Sequence, residues 1–327
     1  MNSTKLYPLK FQPIFKYRIW GGNKLKNELQ KNIDGDQIGE SWEISDVSGD
    51  ETLVMEGELK GYTLKKLIQE YKSHFLGQSV YENFGDSFPL LIKIIDANLP
   101  LSIQVHPGDE VAKKRHQSFG KNEMWYIMDA EEGAELIVGF KKQTTTAEYL
   151  SKLDKGEVLD LLNIEKVKSE DVFYIPSGRV HAIGAGVLLA EIQQTSDITY
   201  RIFDYDRVEA STGKKRELHN DLAKDVIDFN IYPQYKSDFL KIENTSNTLV
   251  HSPYFKSNFI RVNGKLDKDY TSLDSFIIYI AVNGSCEIRF NEMPYNLKKG
   301  ESVLIPASLK RVSILSDNNC DLLEVYV

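Results

Sequence analysis

At 327 residues the chain is about twice the ~150 residues of an average domain, which favours two domains or one enlarged one. Hydrophobic residues at 41% and charged residues at 27% give an ordinary globular balance, which excludes collagen-like, low-complexity and wholly disordered chains. With 40 Lys and Arg against 48 Asp and Glu the formal charge is −8, so no global basic field holds a nucleic-acid backbone or an anionic membrane, and neither partner is expected.

Two cysteines, Cys286 and Cys320, are too few for a disulfide framework or a thiolate metal site. They read as buried strand residues in a reducing compartment. The N-terminal stretch Met1–Pro8 lacks the apolar core of a signal peptide, and the longest apolar run, Phe276–Val282, falls far short of the ~18 residues that span a bilayer. A cytoplasmic protein is expected.

Along the chain, Leu64, Leu67, Ile68, Tyr71 and Phe75 recur at helical spacing behind Thr63, a good N-cap. Strand-like runs follow at Leu90–Ile95, Leu101–His106, Met124–Met128 and Leu136–Phe140. A second helical stretch covers Thr146–Leu162, with Gly156 as a break into two helices. Beyond the strands Val172–Pro176 and Val187–Ile192, a third helix is expected over Glu217–Ile227, where Leu218, Leu222, Val226 and Ile227 share a face. The chain closes on the strands Phe276–Val282, Cys286–Phe290 and Leu322–Val327. The body is mainly β, decorated with helices.

A weak repeat aligns Ser169–Pro176 with Gly300–Pro306: each reads turn, strand, Pro. Two related β-barrel or jelly-roll modules are expected, over 1–232 and 233–327, with the boundary in the polar stretch Pro233–Asn247.

In Leu101–His106, side chains at i and i+2 share a face. Ser102, Gln104 and His106 then line a cavity, while Leu101, Ile103 and Val105 point the other way. Further on, Pro176-Ser177-Gly178-Arg179-Val180-His181 makes a tight turn that opens a strand on a histidine. This turn resembles the second motif of the cupin superfamily. The first cupin motif, His-x-His followed by Glu, is matched by Gln104-x-His106 and Glu123, with Gln in place of one His. The resemblance implies Gln104, His106, Glu123 and His181 as ligands, a nitrogen and oxygen set suited to Zn²⁺ or another divalent metal, one per chain. A purely structural alternative, in which His106, Glu123 and His181 hydrogen-bond one another, strands charge on a buried carboxylate.

Phe88–Lys93, Leu101–Pro107, Gly120–Tyr126 and the polar block Glu191–Arg207 together resemble type I mannose-6-phosphate isomerase in its short bacterial form, over roughly Tyr17–Arg207. The resemblance implies two cupin-like jelly-roll modules and a metal-dependent aldose-ketose isomerase that interconverts mannose 6-phosphate and fructose 6-phosphate through an enediol. It carries metal ligation to Gln104, His106, Glu123 and His181, and an active-site role to Arg201. Longer members read His-Lys-Pro-Glu where this chain has Gly120-Lys121-Asn122-Glu123, so Lys121 remains as a candidate acid/base and the histidine is absent. Lys121 and Glu191 rank equally as the base, with Asp197 behind. Arg201 suits the enediolate or the phosphate by its fork of donors.

Lys93 and Ser102 are weaker substrate contacts, and so is Arg207, for which a local ion pair ranks first. Trp20 in Trp20-Gly21-Gly22 either walls the pocket or packs in the core. Arg311 sits five residues after Pro306, the offset of His181 from Pro176, so the C-terminal module is expected to bind no metal. The implied partner is a small sugar phosphate, and the expected state is a monomer or weak homo-oligomer. Two competing functions are a cupin oxygenase and a sugar-phosphate-binding module without turnover.

Overall fold

The computed structural model describes residues 5–210 and 212–327. Met1–Thr4, the start of the segment expected to carry no leader, lie outside the described residues. The chain folds into two compact units. One comprises residues 15–41 and 94–237, the other residues 1–14, 42–93 and 238–327. Set against the expected division at 232/233, the last crossing falls at 237/238, and two N-terminal stretches join the C-terminal residues in one unit. The chain passes between units inside the strands Ile38–Ile44 and Leu90–Ala97.

The unit built on residues 94–237 is formed from two sheets. One runs in the order Leu162–Lys166, Glu135–Phe140, His181–Ile183, Ile103–Val105, Tyr200–Phe203. The other runs Val172–Ile175, Glu123–Ala130, Val187–Gln194, Leu90–Ala97, Ile14–Gly22, Ile38–Ile44. Neighbours distant in sequence alternate in both orders, as in a jelly roll. Side chains from the two sheets, including Leu136, Val138 and Ile183 from one and Trp125, Phe173 and Leu189 from the other, share a single core. Ile103, Val105 and Ala182 point to the opposite face of the first sheet, where Tyr149 of the helix Thr146–Asp154 covers them. The alternation read from Leu101–His106 therefore holds for Ile103 and Val105. Leu101 departs from it: the strand begins only at Ile103, and Leu101 joins the inner core.

The second unit carries a sheet in the order Asn247–His251, Lys256–Asp269, Arg311–Tyr326, Ile277–Asn283, Ser302–Ile305, with the hairpin Ser285–Phe290 and Met293–Lys298 attached to Arg311–Tyr326. Its core gathers Ile260, Tyr279, Val303 and Leu322. Both cysteines are buried on its strands as free thiols.

Thr63 caps the helix Leu64–Tyr71 by accepting from the Lys66 amide, and Lys72, with φ 49°, separates it from the helix Ser73–Leu76. Gly156, with φ 72°, separates the helix Thr146–Asp154 from the 3-10 turn Val158–Leu161. The helix expected over Glu217–Ile227 shortens to Asn220–Ala223. Its first residues are recruited by the neighbouring strand: the His219 amide donates to the Arg201 carbonyl at 2.7 Å, and the Arg201 amide donates to His219 Nδ1 at 3.1 Å.

The repeat is visible in the backbone. Glu170 and Gly300 both have positive φ, 72° and 85°, and the next amides, Asp171 and Glu301, donate to Lys168 and Lys298 carbonyls. Each turn enters a strand that ends one residue before Pro176 or Pro306.

Candidate metal centre

Three short strand ends position the ligand candidates. His106 follows the strand Ile103–Val105, His181 opens His181–Ile183, and Glu123 opens Glu123–Ala130. Gly178, at φ 86°, makes the turn that delivers His181, and a Cβ there would stand 2.8 Å from the Val226 carbonyl oxygen. Gln104 lies directly opposite His181 across the sheet.

Each imidazole uses one nitrogen on the backbone. His106 Nδ1–H donates to the Ile198 carbonyl at 2.9 Å, and His181 Nδ1–H donates to the Arg179 carbonyl at 2.8 Å. That fixes the tautomer and leaves a bare Nε2 lone pair on both rings. These lone pairs converge on Glu123, His106 Nε2 at 3.3 Å from Oε1 and His181 Nε2 at 3.7 Å from Oε2. All three side chains are buried, and Glu123 Oε2 has no hydrogen-bond partner. The amide of Gln104 reaches the same space, its Nε2 at 3.3 Å from His181 Nε2, and exchanging its two ends turns an oxygen lone pair inward.

Burial drives His106 down to about 3, helped by the Lys121 charge, and burial also lowers His181. Burial pushes Glu123 up, but the Lys121 charge beside it outweighs this and holds the carboxyl well below its usual range. With both rings neutral, neither His–Glu contact is an ion pair. Converging proton-free donors around an orphaned carboxylate oxygen fit a divalent cation. Among the described residues, this is the single His/Cys/Asp/Glu group close enough to hold one.

Lys121 is buried beside it, its Nζ at 2.5 Å from Glu123 Oε1 and 3.2 Å from His106 Nε2. A polar network that no sequence pattern announces holds its loop. Asn122 donates through Nδ2 to Gln194 Oε1 at 2.7 Å and accepts the Ser177 amide at 2.9 Å, while Gln194 Nε2 donates to Asp109 Oδ1 at 3.1 Å. Gly120 fits only as glycine, since a Cβ would stand 2.6 Å from the Asp109 amide nitrogen. Asn122 is thus the bracket between the loop and the His181 turn.

Arg201 lies opposite Gln104 in the register. Its Nη1 donates to the Glu217 carbonyl at 2.8 Å, and its buried Nε–H has no partner. Burial and the nearby Arg216 and Arg207 lower its pKa. Arg207 is engaged locally, at 2.5 Å from Asp204 Oδ1 and 2.6 Å from the Pro100 carbonyl. Arg216 binds the same Asp204.

The remaining candidates divide. Ser102 is buried just before the strand Ile103–Val105. Glu191 is buried and accepts from Trp125 Nε1–H at 2.9 Å. Asp197 is exposed in the loop before Tyr200–Phe203 and makes no hydrogen bond to the His–Glu group. Trp20 packs in the core against Gly39, the second of the two arrangements its sequence left open. Lys93 belongs to the other unit, its ammonium 5.1 Å from the Trp42 ring centroid.

In that other unit Arg311 faces outward and pairs with Asp269 at 3.1 Å, and Val312 is the inward residue at the start of its strand. Glu123 stands opposite Ile175, which precedes Pro176; the residue opposite Ile305, which precedes Pro306, is Ile277. An apolar side chain takes the carboxylate's place.

The family model described as phosphomannose isomerase type I, catalytic domain, matches residues 8–150, and that of the mannose-6-phosphate isomerase cupin domain matches residues 245–327. The chain is 39% identical to mannose-6-phosphate isomerase ManA of Bacillus subtilis over 92% of its length and 94% of that protein's. It is 35% identical to the Streptococcus mutans mannose-6-phosphate isomerase over 93% of each chain. A crystal structure of the mannose 6-phosphate isomerase from Bacillus subtilis superposes with a TM-score of 0.88 at 32% identity, covering 98% of this chain and 99% of that one. Similarity that runs the length of both chains, on a fold that carries the His–Glu–His group, makes this chain a member of the type I phosphomannose isomerase family.

Proposed function

We propose that this chain interconverts mannose 6-phosphate and fructose 6-phosphate through an enediol, with one Zn²⁺ held by Gln104, His106, Glu123 and His181. The observation that carries the reading is the convergence of two bare Nε2 lone pairs on a buried carboxylate, with a lysine beside them. When bound, the ion supplies positive charge where the substrate's C1 and C2 oxygens turn negative.

The chain's own groups supply the rest. Lys121 is the proton carrier: its amine takes the proton from C2 of the aldose and returns it to C1, while a hydroxyl proton moves from O2 to O1. Its place within 3.2 Å of His106 Nε2 supports this role. Arg201 offers its unmatched Nε–H to an anionic oxygen of the substrate. Ser102, buried on the adjoining segment, contacts a substrate hydroxyl. We place the enzyme in the cytoplasm as a monomer or weak homo-oligomer acting on a free sugar phosphate; the formal charge of −8 and two free thiols support that setting.

A coupled assay with mannose 6-phosphate tests the reading, run before and after chelation and zinc readdition with metal content measured on the same sample. Turnover lost with the metal and restored by zinc is expected. Bound metal without turnover overturns it, in favour of an oxygenase or a sugar-phosphate sensor.

A further inference from the structure

Both units contain the same three-strand row. In the first, Trp125 stands between Phe173 and Glu191, its register partners on either side. In the second, Tyr279 stands between Val303 and Glu324. Counted from the strand-ending isoleucines, Ile175 and Ile305, the two rows fall at the same position. Each therefore places a buried glutamate opposite a buried aromatic. In each the carboxylate accepts from an aromatic side chain: Glu191 Oε2 from the Trp125 indole at 2.9 Å, and Glu324 Oε1 from Tyr270 at 2.5 Å, whose hydroxyl also meets that of Tyr279.

The second row sits in a unit whose place for Glu123 is taken by Ile277. An acid kept opposite an aromatic where, among the described residues, no His–Glu–His group stands belongs to the framework of the fold. In the first unit that framework has a further contact. The Trp125 ring meets His181 edge-on, centroids 5.3 Å apart at 74°. His181 Nδ1–H is already committed to Arg179, so the indole supplies the lateral wall that holds the ring plane with Nε2 toward Glu123.

We propose that Glu191 is a positioning residue, which fixes the Trp125 indole and through it the orientation of His181, and that it does not carry the substrate proton. The inference deepens the isomerase reading and rests on it for the second clause alone. Outer partners of this kind typically alter metal affinity 10–100-fold when removed.

The test uses the full-length protein with Glu191→Gln, Glu191→Leu and Trp125→Phe, all checked for folding by circular dichroism. Zinc affinity is read by competition with a chromogenic chelator, and kcat is read separately at saturating zinc. Glutamine keeps an oxygen acceptor for the indole, so Glu191→Gln is expected to hold zinc within about threefold of wild type and to lose less than tenfold in kcat. Glu191→Leu and Trp125→Phe are expected to weaken zinc roughly 10–100-fold, with kcat largely recovered at saturating metal. Glu191→Gln that binds zinc normally and loses roughly 10²–10⁴-fold in kcat identifies Glu191 as the base and overturns the proposal. Unchanged zinc affinity in folded Glu191→Leu overturns it as well. Should wild type bind zinc and not isomerise mannose 6-phosphate, the functional reading fails while the affinity series still decides the positioning role.

Discussion

Lys121 and Glu123 are two residues apart, the spacing that puts side chains on one face of an extended chain, and they meet at 2.5 Å where Glu123 opens its strand. Lys121→Gln is therefore expected to retain zinc and lose roughly 10²–10⁴-fold in kcat, as removal of a positioned acid/base does. Equal losses in zinc content and in activity would instead make Lys121 a support for Glu123. The His106, Glu123 and His181 cluster was legible through the resemblance to the cupin motifs. The Asn122–Gln194–Asp109 network was not, since isolated polar residues more than 70 positions apart carry no periodicity. Trp125 was likewise hidden: an indole in a strand reads as core, and only the register places Glu191 opposite it.

Among the elements, the turn Pro176–His181 bears the heaviest local demand. Gly178 combines left-handed φ with a close backbone neighbour, so Gly178→Ala adds strain of about 1–2 kcal/mol for the dihedral alone. The strain falls three residues before His181. The expected outcome is a lower denaturant midpoint together with weaker zinc binding; a shift in midpoint with unchanged zinc affinity would separate the turn from the ligand. Each expected strand run overlaps a strand, but Ile14–Gly22, Ile38–Ile44 and Lys256–Asp269 went unread; the cap Thr63 and the break at Gly156 fell where expected. The 217–227 helix was overread because its periodicity is real, but Glu217 and His219 bond to Arg201 of the neighbouring strand. Tertiary pairing outcompeted local propensity there.

On the scale of the whole molecule, the two units differ in what they bury. The unit with the His–Glu–His group converges acceptors; the other neutralises its buried acid internally. Burial pushes Glu324 up, but Lys268 at 2.8 Å and the hydroxyls of Tyr270 and Ser246 bring it below its ordinary value. A carboxyl lowered in the folded state stabilises fully above its unfolded value near ~4.3, and that contribution drains as pH falls through the folded one. Lys268→Met is thus expected to lower the denaturant midpoint at pH 6 more than at pH 3.5. Equal losses at both would assign Lys268 a packing role alone. The two-module plan was legible through the repeat; the interleaving was not, because the chain changes units inside Ile38–Ile44 and Leu90–Ala97, buried strands without a linker's composition.

That interleaving orders events during synthesis. The stretches that make up the His–Glu–His unit are all present once residue 237 has left the ribosome. The first 14 residues must wait for partners near the opposite terminus, for Leu9 bridges to Leu304. A chain arrested at residue 237 would hold every ligand candidate yet leave the stretches 1–14 and 42–93 without the strands that complete their unit. The early translation product thus carries the whole chain of one unit and, until residues 238–327 follow, exposes apolar stretches of the other.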